Sequence, residues 1–152
     1  MKIPLLNMKI EFSQKQLNQF KKIGIETIYL FGSQAQGFAG PLSDVDIGVV
    51  LEKPEKYKDK TMDIYLKLYS IFVSVLPKKY LKHRFEMREH EFDIVFLQFA
   101  PISLQFSAIR DGKVLYEKDK EKRLQYEEYI IKRNADLNYF YDLSFKALLE
   151  RM

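Results

Sequence analysis

Three aspartates of this sequence lie inside apolar runs that are typical of strands. Asp44 and Asp46 stand one residue apart in SDVDIGVV, and Asp93 follows Phe92 in FDIVFL. Alternate side chains of a strand share a face, so Asp44 and Asp46 point the same way, roughly 6–7 Å apart. Buried carboxylates are costly without partners, and two close like charges repel unless a cation lies between them. The spacing therefore predicts a site for a hard divalent cation.

The third aspartate joins this site if its strand pairs with the strand that carries Asp46. Mg²⁺ typically pairs a few carboxylates with substrate phosphates, and two such ions serve phosphoryl chemistry. Each aspartate also has a simpler interpretation. Asp44 follows Ser43 after a Gly-Pro turn, where Asp is common, and Asp93 fits the solvent side of an edge strand.

A glycine turn precedes the paired aspartates. Gly32 and Ser33 come directly after the apolar run TIYLF. Glycine lets the backbone approach a ligand closely, and the start of a following helix aims free N–H groups at an anion. The turn therefore fits a phosphate cradle, although a tight turn alone has the same residues. GSQAQG matches neither a P-loop nor a dinucleotide-binding fingerprint.

The order of elements indicates a mixed α/β (α+β) domain with a small sheet. We predict strands at 27–31, 45–51, 92–99 and 113–116, and helices at 13–23, 56–76 and 101–110. The charged stretch 78–91 is expected to be irregular or weakly helical. The helical pattern of 119–151 fits one long helix or two, with an apolar side formed by Leu124, Ile130, Leu137, Phe140, Phe145 and Leu148.

Composition narrows the class of protein. At 152 residues with 47% hydrophobic and 30% charged residues, we expect one folded domain, 1–152, rather than a disordered chain. The absence of cysteine excludes a disulfide framework and a thiolate metal site. The sequence shows no signal peptide and no membrane-spanning run, so we expect a cytoplasmic protein without a membrane partner. The net charge of +4 is too small to predict direct nucleic-acid binding.

Three short motifs together resemble the polymerase-β-type nucleotidyltransferase superfamily: FGS at 31–33, SDVDI at 43–47 and FDIVFL at 92–97. Within it, the short length and the order of elements are similar to the minimal nucleotidyltransferases, the MNT proteins of prokaryotic HEPN/MNT toxin–antitoxin pairs. The motif-bearing core is residues 25–110. The resemblance implies the polymerase-β-like fold, a small mixed β-sheet flanked by helices, with a helical C-terminal tail.

The resemblance also implies an activity: Mg²⁺-dependent transfer of AMP from ATP to a hydroxyl of a HEPN ribonuclease toxin. The acceptor is expected to be a tyrosine, and its modification silences the toxin in a type VII-like toxin–antitoxin pair. Gly32 and Ser33 would hold the triphosphate, and Asp44, Asp46 and Asp93 would be catalytic and bind two Mg²⁺ ions. Where the MNT group has GSxARG, this chain has GSQAQG, so Gln36 replaces the arginine.

Two other functions are compatible with the sequence. A non-catalytic antitoxin would keep the fold and neutralise its toxin by binding alone. A small-molecule nucleotidyltransferase of the aminoglycoside-modifying kind would need an extra substrate domain, for which the chain is short. The tyrosines of the last helical segment, Tyr126, Tyr129, Tyr139 and Tyr141, are expected to pack in the core or on its flank.

Overall fold

Four strands form one sheet in the computed structural model, which describes residues 9–32, 45–76 and 92–152. The sheet order is β3-β2-β1-β4. Strands β1 and β2 are antiparallel, β1 and β4 are antiparallel, and β2 and β3 are parallel. The predicted small mixed sheet is therefore confirmed. Its strands are β1 (Ile25–Phe31), β2 (Val45–Leu51), β3 (Phe92–Phe96) and β4 (Lys113–Glu117).

One face of the sheet is covered by helices α1 (Gln14–Ile23) and α2 (Thr61–Val75). The α1 boundaries follow from local chemistry. Ser13 and Gln16 form a capping box, and Gly24 ends the helix at φ 93°, a left-handed conformation that favours glycine. Alternate residues of the central strands meet these helices in the larger core cluster, which includes Val45, Ile47, Val49, Leu68 and Phe72.

Helices α3 (Ile102–Asp111) and α4 (Lys120–Glu150) pack on the other face. Tyr29 and Phe31 of β1 contribute to this second cluster, which is buried like the first. Gln105 ties the two helices together, because it accepts a 2.7 Å hydrogen bond from the Tyr126 hydroxyl and donates one of 2.9 Å to the Ala100 carbonyl. Both faces of the sheet are therefore covered by helices.

Three predicted boundaries are wrong. Strand β1 begins at Ile25 rather than residue 27, directly after Gly24 ends α1, and the other two errors also have identifiable reasons. Strand β3 ends at Phe96 rather than residue 99, because residues 97–99 turn into a 3-10 helix. This turn places the Gln98 amide against both backbone groups of Leu51, at 2.7 and 2.9 Å. Helix α2 starts at Thr61 rather than residue 56, since the 3-10 turn Pro54–Lys56 comes first. The expectations for 78–91 fall outside the described residues.

The C-terminal pattern forms a single helix, α4, of 31 residues. Its predicted apolar side is only partly correct. Ile130 is buried, whereas Leu124, Phe140, Phe145 and Leu148 are exposed. The expectation of packed tyrosines holds for Tyr126, but Tyr129, Tyr139 and Tyr141 are between 58% and 67% exposed. Among the helices that the structure describes, none is both long and apolar enough to cross a membrane.

Candidate active site

The structure places two of the three predicted carboxylates side by side. Asp46 of β2 and Asp93 of β3 are register partners in the parallel pair. Register partners of neighbouring strands point to the same face of a sheet, so the two side chains share one face. Asp46 is only 5% exposed, whereas Asp93 is exposed. The pair therefore combines a carboxylate inside the protein with one that a second macromolecule can reach.

Gly32, the first residue of the glycine motif that the structure describes, lies at the same end of the sheet. Phe31, the last residue of β1, is the register partner of Asp46, and the buried Gly32 follows it directly. The described part of the glycine motif and two of the acidic residues thus belong to one end of the sheet. Ser33, Asp44 and Gln36 lie outside the described residues.

Asp93 is held by groups from two elements. Its Oδ1 accepts a 2.8 Å hydrogen bond from the backbone N–H of Ile94 and a longer one, 3.4 Å, from the Tyr65 hydroxyl of α2. Burial, and then the negative charge of Asp93, raise the pKa of Tyr65, so this hydroxyl stays a hydrogen-bond donor. Tyr65 therefore orients the Asp93 carboxylate. Sequence reasoning missed it, because no local pattern relates α2 to the start of β3.

Gly48 is a second contributor that sequence reasoning missed. It lies two residues after Asp46, on the same face of β2. A Cβ atom at this position would lie 2.9 Å from Leu97 Cδ1 and 3.0 Å from Phe31 Cε1. Both neighbours are buried, with at most 1% of their surface exposed. Glycine at position 48 lets the side chains of Leu97 and Phe31 pack closely against β2 near Asp46. This packing fixes the strand that carries the carboxylate.

The two described carboxylates, Asp46 and Asp93, fit a magnesium site. Carboxylate oxygens are the protein ligands that Mg²⁺ prefers, and Asp46 and Asp93 bring two carboxylates to one face. Within residues 9–32, 45–76 and 92–152, no group of three or more acidic, histidine or cysteine side chains is placed to hold a metal. The third predicted ligand, Asp44, is outside these ranges. The two-ion site thus remains a prediction.

A small cavity lies at the opposite end of the sheet. Its volume is about 200 Å³, below the 300–1,000 Å³ range common for ligand pockets. Gly24 and Glu52, which line it, flank the start of β1 and the end of β2, far along both strands from Phe31 and Asp46. The cavity is basic, with Lys21, Lys22, Lys53 and Lys56 in its wall. It is therefore separate from the aspartate site.

The described structure is a small mixed sheet with paired aspartates on adjacent strands, beside Gly32. The family model described as polymerase beta, nucleotidyltransferase matches residues 14–121, which is most of the chain. This chain belongs to that nucleotidyltransferase family. The match spans every described element from α1 to β4, including both strands of the aspartate pair.

Individual relatives narrow the comparison. The chain is 27% identical over 136 residues to the protein adenylyltransferase MntA of Aphanizomenon flos-aquae, covering 90% of this chain and 85% of the relative. The fold is similar to a crystal structure of a toxin–antitoxin with AMP-PNP, with a TM-score of 0.55, 20% identity and coverage of 88% and 94%. It is also similar to the complex of tri-AMPylated Shewanella oneidensis HEPN toxin with MNT antitoxin, with a TM-score of 0.52, 19% identity and coverage of 90% and 98%.

Proposed function

We propose that this protein is an Mg²⁺-dependent adenylyltransferase that moves AMP from ATP to a tyrosine hydroxyl of a partner HEPN toxin and so acts as its antitoxin. The observation that carries the proposal is the register pairing of Asp46 with Asp93 in a member of the nucleotidyltransferase family. The named relative is a protein adenylyltransferase, which supports a protein as the acceptor. The similar solved complexes contain an ATP analogue in one case and an AMPylated toxin in the other.

The burial of the two carboxylates suits them to different tasks. Asp46 is enclosed and lies opposite Phe31, beside Gly32, where the triphosphate would bind. Asp93 is exposed, so a hydroxyl on the surface of another protein can approach its carboxylate. Tyr65 and the backbone N–H of Ile94 hold this carboxylate in place. This arrangement gives the site a water-accessible side for the acceptor and an enclosed side for the nucleotide.

The reaction then follows from these positions. The acceptor oxygen attacks the α-phosphorus of ATP and forms a phosphodiester bond to AMP. The bond between the α-phosphorus and the bridging oxygen breaks, and pyrophosphate leaves with the electron pair. The Asp93 carboxylate takes the hydroxyl proton. Asp44, Asp46 and Asp93 would hold Mg²⁺, which would supply positive charge to stabilise the phosphate oxygens.

The test is a labelling experiment with the purified protein, Mg²⁺ and the HEPN protein encoded beside it. ATP labelled on the α-phosphate should label the HEPN protein, whereas ATP labelled on the γ-phosphate should not, because only AMP is transferred. Asp46→Asn and Asp93→Asn should each abolish labelling. Asp59→Asn, which changes an exposed carboxylate outside the site, is the matched control and should label normally.

The same experiment separates the alternative functions. A non-catalytic antitoxin would inhibit the toxin equally well with Asp46→Asn, and that result would overturn the catalytic proposal. Label on an aminoglycoside but not on the HEPN protein would indicate the small-molecule enzyme. Mass spectrometry of the labelled HEPN protein should find AMP on tyrosine. The toxicity of the HEPN protein should fall in proportion to the extent of labelling.

A further inference from the structure

The last part of helix α4 exposes an unusual amount of apolar surface. We call residues 138–150 the distal segment and residues 120–137 the proximal segment. Every residue of the distal segment is exposed. Seven of its thirteen residues are nevertheless large and apolar, and they are between 49% and 67% exposed: Tyr139, Phe140, Tyr141, Leu143, Phe145, Leu148 and Leu149. Exposed apolar clusters of this kind mark interaction sites.

The apolar face of the distal segment continues a face that is already packed. In the proximal segment, Tyr126 and Ile130 pack against the domain. At 3.6 residues per turn, Leu137, Tyr141, Phe145 and Leu148 continue the same side of the helix, and we call them the front stripe. The apolar face that packs against the domain in the proximal segment therefore continues into the distal segment, where its side chains are exposed.

A second apolar stripe lies on the other side of the distal segment. Phe140, Leu143 and Ala147 follow one another at helical spacing and form the back stripe, with Tyr139 beside it. At 100° per residue, the centres of the two stripes are about 120° apart around the helix. A helix that is apolar on both sides is normally enclosed by its surroundings. One flat contact would leave one of the two stripes in water.

The size of the surface leads to the same conclusion. A single aromatic side chain buries about 150–250 Å². On this scale, the exposed apolar side chains of the distal segment together offer on the order of 700 Å². A standard interface takes about 800 Å² from each partner. Both stripes together approach this value, whereas either stripe alone gives about half of it. Side-by-side pairing with a second copy of the chain would cover only one stripe.

Charge argues for a protein rather than a membrane or a nucleic acid as the occupant. Residues 138–152 contain two acidic and two basic side chains: Asp142, Glu150, Lys146 and Arg151. Helices that lie on membranes have a polar face rich in Lys and Arg, and nucleic-acid binding needs an excess of positive charge. A balanced segment with aromatic residues on two sides instead matches helix-in-groove recognition between proteins.

We propose that the distal segment inserts into a groove between two helices of the partner toxin, with the front and back stripes each contacting one wall. This inference rests on the proposed function for the identity of the partner, the HEPN protein encoded beside this chain. It adds a docking element that is separate from the aspartate site. The site would modify the acceptor, and the distal segment would hold the toxin.

The experiment measures binding of the purified HEPN protein by calorimetry without nucleotide, so catalysis plays no part. Phe145→Asp with Leu148→Asp removes the front stripe, and Phe140→Asp with Leu143→Asp removes the back stripe. Each pair should raise the Kd at least 100-fold. Lys146→Asp adds the same two units of negative charge on the polar side and should change the Kd less than threefold. Thermal unfolding should be unchanged in all three variants, since the altered side chains are exposed.

The outcomes separate this inference from the proposed function. Normal binding by either double variant would overturn insertion into a groove, and loss with the front pair alone would indicate a one-sided contact instead. No binding by the unchanged protein, or a homodimer that only the front pair disrupts, would also overturn it. Loss of binding in both double variants would uphold the docking element even if the unchanged protein transfers no AMP, a result that would refute the proposed function alone.

Discussion

Two regions depart in opposite ways from the usual distribution of buried and exposed residues. One is the start of strands β2 and β3, and the other is the distal segment of α4. At the sheet, Asp46 is a carboxylate with only 5% of its surface exposed. On the helix, Phe145 is an aromatic residue with 60% of its surface exposed. Charges are seldom buried without partners, and large exposed apolar patches are seldom without function. We propose that each departure serves a function: catalysis at the sheet in one case and docking of a protein on the helix in the other.

This comparison predicts that catalysis and docking can be lost separately. Asp46→Asn should lower kcat for AMP transfer at least ~1,000-fold, because the stabilisation lost from a phosphoryl-transfer site amounts to several kcal/mol. The Kd for the HEPN protein should stay within threefold of the unchanged value. Steady-state labelling and calorimetry provide the two measurements. A variant that lost binding along with transfer would show that the two regions are not independent.

The two halves of α4 should differ in what they contribute to stability. Ile130 is 1% exposed, so Ile130→Ala should lower the free energy of unfolding by about 2–5 kcal/mol through lost burial and a cavity. Leu148→Ala removes a similar volume from the distal segment and should change it by less than about 0.5 kcal/mol. Urea unfolding of both variants tests this. Equal losses would mean that the distal segment packs within its own chain.

The sequence predicts some of these features and not others, for physical reasons. The bounds of β2 and the capping box of α1 follow from local sequence patterns. The shared face of Asp46 and Asp93 also requires the register of β2 with β3, which local alternation does not give. The exposure of Phe140 and Phe145 does not follow from local patterns, because apolar spacing along a helix is the same whether the covering surface belongs to the same chain or to another. Tertiary position decides which of the two applies.

Gly48 connects the packing of the sheet to the aspartate site. Gly48→Ala should lower the free energy of unfolding by about 1–3 kcal/mol, since the added Cβ must displace the buried side chains of Leu97 and Phe31. Thermal or urea unfolding measures the loss. Gly48→Ala combined with Leu97→Ala, which frees the space, should lose less than the sum of the single changes. Simple additivity would show that this contact is not the cause.

The smallest effect is expected at Tyr65, the positioning residue of the exposed carboxylate. Its hydroxyl lies 3.4 Å from Asp93 Oδ1, and the backbone N–H of Ile94 holds the same oxygen at 2.8 Å, so Tyr65→Phe removes the longer bond and leaves the shorter one. Groups that orient a metal ligand typically contribute 10- to 100-fold, and the long contact places Tyr65 near tenfold in kcat.

A purely structural role would lower stability and leave kcat of the folded enzyme unchanged. Tyr69→Phe, a change on the next turn of α2, provides the control, and a kcat for Tyr65→Phe equal to that of this control would exclude the positioning role. A tenfold fall in kcat with unchanged KM for ATP and an unchanged Kd for the HEPN protein would place the effect at Asp93, away from both the nucleotide and the distal segment.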